Sequence, residues 1–189
     1  MNYLLLVAFW VLYFSLHSLL ASLRSKAFFE RILGKAFRFY RIIYSFFSTV
    51  GLLLLLFINS TTASPLLFES IGLVRYLSLM LATFGVIIIS RTFKEYRFLT
   101  FIGLKQEGNE FKRTGILKYV RHPIYSGTIL IVIGFFLFSP TLATLVSVSC
   151  ILAYLPFGIY LEERKLINQF GDQYVSYRKE VPSIFPGIK

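Results

Sequence analysis

The sequence predicts an all-α integral membrane protein with five transmembrane helices, the last two a helical hairpin, and a C-terminal amphipathic helix. Three observations predict it. The 189 residues are 56% hydrophobic and only 15% charged, with a mean hydropathy of +0.69, whereas a soluble domain carries ~25% charge. The missing charge is concentrated in long uncharged runs that a water-exposed surface has no way to hide. The basic residues fall on alternate connections between those runs.

Met1 to Leu23 contains no Asp, Glu, Lys or Arg, and neither does Ile42 to Phe68, Tyr76 to Ser90 or His122 to Leu161. A spanning helix needs about 20 mostly apolar residues. The first two runs supply one helix each, and the third supplies one when its flanks from about Gly72 to Thr92 are included. The fourth, 40 residues long, supplies two, with a reversal at Ser139-Pro140-Thr141, where proline ends a helix and favours a turn. An alternative with four spans lets Ile124 to Ser139 only dip into the bilayer. The first run lacks a preceding Lys or Arg, so it reads as a retained helix rather than a cleavable signal peptide.

The net charge is +11. Arg24, Lys26, Arg31, Lys35, Arg38 and Arg41 lie between the first two runs. Eight more, from Arg91 to Arg121, lie between the third and fourth, and five lie in the tail from Arg164 to Lys189. Nineteen of the 20 basic residues therefore share one side, Arg75 being the exception. Positive charge gathers on cytoplasmic loops, which predicts a multi-pass membrane protein with its N-terminus outside and its C-terminus cytoplasmic. Membrane lipids account for the basic surface without nucleic acid. The single cysteine, Cys150, lies mid-helix and reads as a small core residue. In the tail, Leu166, Ile167, Phe170, Tyr174 and Tyr177 recur at helical spacing with charged residues between them, predicting an amphipathic helix interrupted at Gly171 and ended by Pro182 and Pro186. The chain divides into a three-helix scaffold, residues 1–92, and a second half, residues 93–189, within one structural domain.

Ionisable groups at membrane depth are functional candidates. His122-Pro123 opens the fourth helix, Pro123 suiting its first turn, and Arg121 can snorkel to headgroups. Glu162-Glu163 closes the fifth, where acidic side chains oppose the helix dipole. Both ends of the hairpin lie on one side, so His122, Tyr125 and the two glutamates come to one depth. His17 and Ser18 face the interior of the first helix, as an interhelical hydrogen bond or as part of a substrate pocket. Two histidines in separate segments and one cysteine give no metal site. No phosphate-binding glycine loop or nucleophile elbow occurs.

The stretch from Gly115, G-I-L-K-Y-V-R-H-P-I-Y-S-G, and the tail E-E-R-K-L-I-N-Q-F-G-D-Q-Y-V-S-Y-R-K-E-V-P-S-I-F-P closely resemble the C-terminal half of the isoprenylcysteine carboxyl methyltransferase superfamily. The segments around Ser15 to Ser22, Tyr40 to Tyr44 and Gly103 to Gln106 resemble its bacterial branch, which contains methanethiol S-methyltransferase and NnrU-like proteins. The resemblance implies a bacterial inner-membrane enzyme using S-adenosyl-L-methionine. His122, Pro123 and Tyr125 match the cofactor-contacting H-P-x-Y, Glu162 the family glutamate, and Gln106 a cofactor-contacting glutamine. Asn109 to Lys112, Leu117 and Tyr119 match further cofactor-lining positions. Arg121 or His122 is a candidate for the cofactor carboxylate, and Tyr125 or Tyr119 for its sulfonium or adenine. Glu163, His122 and bulk water are the candidate bases. Gly158 stands where the isoprenylcysteine enzymes carry an arginine for the substrate carboxylate, and glycine has no side chain to pair with one. The expected acceptor is therefore a small thiol such as methanethiol, with a lipid or isoprenylcysteine-type acceptor as the alternative and a non-enzymatic membrane interaction or transport subunit as the rival.

Overall fold

The computed structural model describes residues 2–96, 111 and 113–187, without the side chains of Glu95 and Tyr96. The described residues are helical apart from short connections and one isolated antiparallel bridge. In chain order the helices are α1 (Tyr3–Ala21), α2 (Leu23–Leu33), α3 (Tyr40–Thr61), α4 (Gly72–Tyr96), α5 (Pro123–Phe138), α6 (Leu142–Phe170) and α7 (Asp172–Glu180), with 3-10 turns at Gly34–Phe39 and Gly115–Lys118. Among the described residues four stretches are long and apolar enough to cross a membrane: α1, the stretch ending in α3, α4 and α6. The 16-residue α5 is apolar throughout but rises only about 24 Å, less than the ~30 Å hydrocarbon core. On length alone the span count is four, one fewer than the sequence reading.

Local chemistry sets most boundaries. Asn2 and Ser22 cap α1 and α2 by accepting from the Leu4 and Ser25 amides, satisfying donors that a helix start leaves free. Gly34 ends α2 at φ +48° and Gly171 ends α6 at φ +54°, a region that favours glycine. Helix α6 is 29 residues long, about 44 Å. It outruns the bilayer, so the amphipathic pattern expected after Leu161 is the projecting end of α6 plus the short α7.

Helix α6 runs beside α1 and α3. Trp10 Nε1 donates to Ser147 Oγ at 2.9 Å, Ser147 Oγ donates to Asn59 Oδ1 at 2.8 Å, and Asn59 Nδ2 donates to Thr144 Oγ1 at 3.3 Å. Inside a membrane such bonds fix helix register, at roughly 1 kcal/mol each. Leu6, Trp10, Leu55 and Ala143 form the adjoining buried cluster, with Cys150 packed against it as the core residue expected. Helix α5 packs chiefly on α4, by close backbone approach. A Cβ on Gly127 would meet the Gly85 carbonyl oxygen at 2.7 Å, and one on Gly134 the Ser78 carbonyl oxygen at 2.7 Å. Small residues thus let the two helices touch without a side-chain spacer. The α3–α4 connection is stitched to the α5–α6 turn, with the Leu67 amide donating to the Pro140 carbonyl at 2.8 Å and the Leu142 amide to the Pro65 carbonyl at 3.1 Å.

Candidate functional site

The three-residue turn between α5 and α6 returns the chain antiparallel, so the start of α5 and the far part of α6 share one end of the bundle. His122, the N-cap of α5, is buried with Pro123. Its Nε2 lies 3.2 Å from Glu163 Oε1 and its Nδ1 lies 3.6 Å from Glu162 Oε2. The sequence reading placed His122 beside Glu162 and Glu163, and the structure brings the three together.

The two glutamates have different surroundings. Glu163 Oε1 also accepts from Arg121 Nη2 at 2.8 Å and Nε at 3.1 Å, and Arg178 Nε lies 3.5 Å from its Oε2. Its side chain is 11% exposed and its oxygens face three basic groups. Glu162 is 45% exposed, with His122 as its one ion-pair partner among the described residues. Burial alone would lower the His122 pKa. Hydrogen bonds and charge from Glu162 and Glu163 outweigh it and hold the pKa above the ordinary histidine value.

The C-terminal segment straps over this pair. The Arg121 amide donates to the Pro182 carbonyl at 2.9 Å and the His122 amide to the Ser183 carbonyl at 3.0 Å. Ser126 Oγ donates to the Ile184 carbonyl at 2.6 Å, and Arg121 Nη1 to the Arg178 carbonyl at 2.8 Å. Arg113 pairs with Glu180. Tyr177 donates its hydroxyl to the Leu117 carbonyl at 2.5 Å, so buried Leu117 anchors α7 through its backbone. Burial raises the Tyr177 pKa to about 12, which keeps that donor protonated. The Tyr174 hydroxyl is buried and has no hydrogen-bond partner among the described residues.

Tyr125 stands one turn into α5, its ring centroid 5.6 Å from that of His122. It packs over Gly158, where a Cβ would meet Tyr125 Oη at 3.2 Å and Tyr154 Cε1 at 3.4 Å. A side chain there would have to push the Tyr125 hydroxyl aside by a few tenths of an ångström. Tyr119 is 66% exposed and faces outward. His17 and Ser18 lie on α1, one helix away. His17 Nδ1 is 3.2 Å from Ser48 Oγ, and Ser18 Oγ is 2.7 Å from Tyr154 Oη. Gln106, and Asn109 to Lys112 apart from Phe111, lie outside the described residues. Phe111 packs on Phe170, Tyr174 and Tyr177.

Sequence reasoning missed the strap, because its contacts are backbone carbonyls that leave no side-chain signature. It also missed Arg178, whose place in α7, three residues before the strap, was the available signal. Tyr154 was not singled out, although tyrosine hydroxyls at membrane depth need partners.

Comparison with known proteins follows the same residues. The profile described as NnrU protein matches residues 5–184. The chain is 32% identical over 189 aligned residues to a methanethiol S-methyltransferase of Crocosphaera subtropica, covering 91% of this chain and 70% of that protein. It is 30% identical over 184 residues to methanethiol S-methyltransferase 1 of Bradyrhizobium diazoefficiens, covering 90% and 62%. Over 75 residues it is 39% identical to the protein-S-isoprenylcysteine O-methyltransferase of Schizosaccharomyces pombe, covering 39% and 32%. No solved structure shows a significant match. Since the profile match runs through all the helices and the strap, the chain belongs to the NnrU protein family.

Proposed function

We propose that the protein is an S-adenosyl-L-methionine-dependent membrane methyltransferase acting on a thiol, oriented with the His122 end and C-terminus in the cytoplasm of a bacterial cell and α5 completing five spans. The observation that carries this reading is the division of labour between the glutamates. Glu163 is saturated by Arg121, His122 and Arg178, while Glu162 is half-exposed beside His122. The relatives named methanethiol S-methyltransferase and protein-S-isoprenylcysteine O-methyltransferase support it.

The residues present fit such a cofactor. A half-exposed carboxylate, a neighbouring aromatic ring and an orphaned buried hydroxyl, Tyr174, suit a ligand that carries a cation, an ammonium group and ribose hydroxyls. When bound, S-adenosylmethionine supplies a methyl group already activated on a sulfonium, so the protein supplies no covalent chemistry of its own. Glu162, His122 and Tyr125 hold it, with Leu117 and Pro123 lining the site and Gln106 a further cofactor contact that the resemblance implies. Glu163 and Arg121 act through His122: their bonds fix the imidazole and buckle the strap. Glu163 is then a positioning residue, and the proton of the acceptor thiol leaves by another route, since only the thiolate attacks. Helices α5 and α6 exclude water around the reacting atoms.

Incubation of the purified protein with methyl-labelled S-adenosylmethionine and a thiol panel should yield labelled methyl thioether. Label only in co-purified lipid would transfer the reading to a lipid acceptor, and no label from folded protein would end it.

A further inference from the structure

The connection between α1 and α3 is built as more than a loop. Helix α2 is set off from α1 by the Ser22 cap, and from α3 by Gly34 at φ +48° and the 3-10 turn Gly34–Phe39. A basic connection is enough to set topology and needs no helix to do so. Helix α2 is nevertheless amphipathic. Phe28, Phe29, Ile32 and Leu33 share one face, and Arg24 and Arg31, seven residues apart, lie on another. Phe28 and Ile32 are exposed, while Phe29 and Leu33 turn toward α3.

Between α2 and α3, where α1 finishes, lies an apolar groove of about 270 Å³. Leu20, Phe29, Leu33, Ile43 and Phe47 line it, and Ile43 and Phe47 are themselves exposed, so it opens outward past them. The two tyrosines in its wall bring no polar group to it. The Tyr40 hydroxyl donates to the Leu20 carbonyl at 2.7 Å. The Tyr44 hydroxyl is turned onto His17, 3.1 Å from each ring nitrogen. A polar ligand would lose its hydration there with nothing to replace it. Hydrocarbon loses nothing, and the volume takes on the order of nine methylenes if each fills about the share of one liquid water.

The rim of the groove is basic. Lys35 and Arg38 stand on the 3-10 turn that joins two lining residues, Leu33 and Tyr40, and Lys26 shares a helical line with Phe29 and Leu33. All three cations are exposed, and among the described residues none has an ion pair. The Arg38 guanidinium lies 4.6 Å over the Phe39 ring, a stacking that leaves its N–H edges for an acceptor. Residues 23–41 hold six Lys and Arg against one acid, Glu30. Such clusters on an amphipathic helix beside a span recognise anionic headgroups. We propose that α2, the Gly34–Phe39 turn and the start of α3 form a binding site for one anionic phospholipid of the surrounding bilayer. An acyl chain fills the groove and the phosphate meets Lys35 and Arg38, whose point charge and planar fork both suit it. The site does not depend on the methyl-transfer reading.

The test counts lipids on the purified full chain by native mass spectrometry. Phosphatidylglycerol or phosphatidylcholine with the same acyl chains is titrated into the detergent-solubilised protein. One phosphatidylglycerol per chain should bind saturably, about tenfold more tightly than phosphatidylcholine. Lys35→Gln combined with Arg38→Gln alters only exposed side chains and should bring phosphatidylglycerol down to the phosphatidylcholine level. Ile43→Trp fills the groove and should weaken phosphatidylglycerol about tenfold or more. A wild-type melting midpoint shows that each variant is folded. Equal affinity for the two lipids, or a phosphatidylglycerol preference that survives the double substitution, would overturn the headgroup site and with it the inference. Binding indifferent to Ile43→Trp in folded protein would put the acyl chain elsewhere and overturn it as well.

Discussion

At the residue scale the adjacent glutamates separate structure from function. Removing Glu163 leaves Arg121 and His122 facing each other without their shared carboxylate. Glu163→Ala should therefore destabilise by about 3 kcal/mol, the order seen when one partner of a buried pair is removed, and should expose the strap to protease. Glu162→Ala removes a half-exposed side chain whose partners are His122 and the Tyr125 hydroxyl. Its thermal midpoint should stay near wild type, within about 1 kcal/mol. His122 adds a pH dependence whose direction follows from its carboxylate neighbours. Its folded-state pKa stands above the ordinary value, which is ~6.5 in the unfolded chain. Its contribution to stability is therefore complete below about pH 6.5 and is lost as pH rises through the folded value. Thermal melting from about pH 6 to about pH 8 should show a decline that His122→Gln reduces. No such reduction would mean that the imidazole is not charged against the glutamates.

At the element scale the α4–α5 contact depends on missing side chains. Gly127→Ala puts a methyl 2.7 Å from the Gly85 carbonyl oxygen and 2.6 Å from Ile89 Cγ1. Backbone has little room to yield, so a loss of about 1–3 kcal/mol is expected. Gly51→Ala meets only the edge of the Tyr13 ring, at 3.1 Å. It should cost under about 0.5 kcal/mol, since a side-chain neighbour can turn aside. Melting of the two variants side by side checks this. The elements differ in how far the sequence revealed them. The turn at Pro140, the break at Gly171 and the extent of α4 were legible because proline, glycine and charge mark them directly. Helix α2 was not, since its 11 residues are too short and too basic to stand out from a loop between spans. The extent of α5 was legible as well, since His122-Pro123 and the Pro140 turn bound it, and its shortness is the four-span alternative that the sequence offered. In the candidate site, the approach of His122 to Glu162 and Glu163 was legible because a tight hairpin must bring its two ends together. The unequal roles of the glutamates were not, because they depend on Arg178 and on the carbonyls of Val181 to Ile184 arriving from the tail.

At the scale of the whole molecule, charge and candidate site share one end. The described basic connections, the strap and the His122–Glu162 pair gather where α1, α4 and α6 finish, and the opposite end carries Arg75 alone among the described basic residues. Positive charge held on the cytoplasmic side would place the site where S-adenosylmethionine is made available. Single cysteines introduced at Glu69 and Lys35, both exposed, in a chain with Cys150 replaced by serine, test this. An impermeant thiol reagent added to intact cells should label position 69 and spare position 35. The reverse would invert the topology and remove the cofactor's access. The account as a whole rests on a cofactor site between α5, α6 and the tail. Calorimetric titration of the purified, folded protein with S-adenosylhomocysteine tests it most directly. The account predicts saturable one-to-one binding, weakened about tenfold or more by Glu162→Ala or His122→Ala, with the Glu162→Ala protein still melting like wild type. No binding, or binding that Glu162→Ala leaves unchanged, would contradict it.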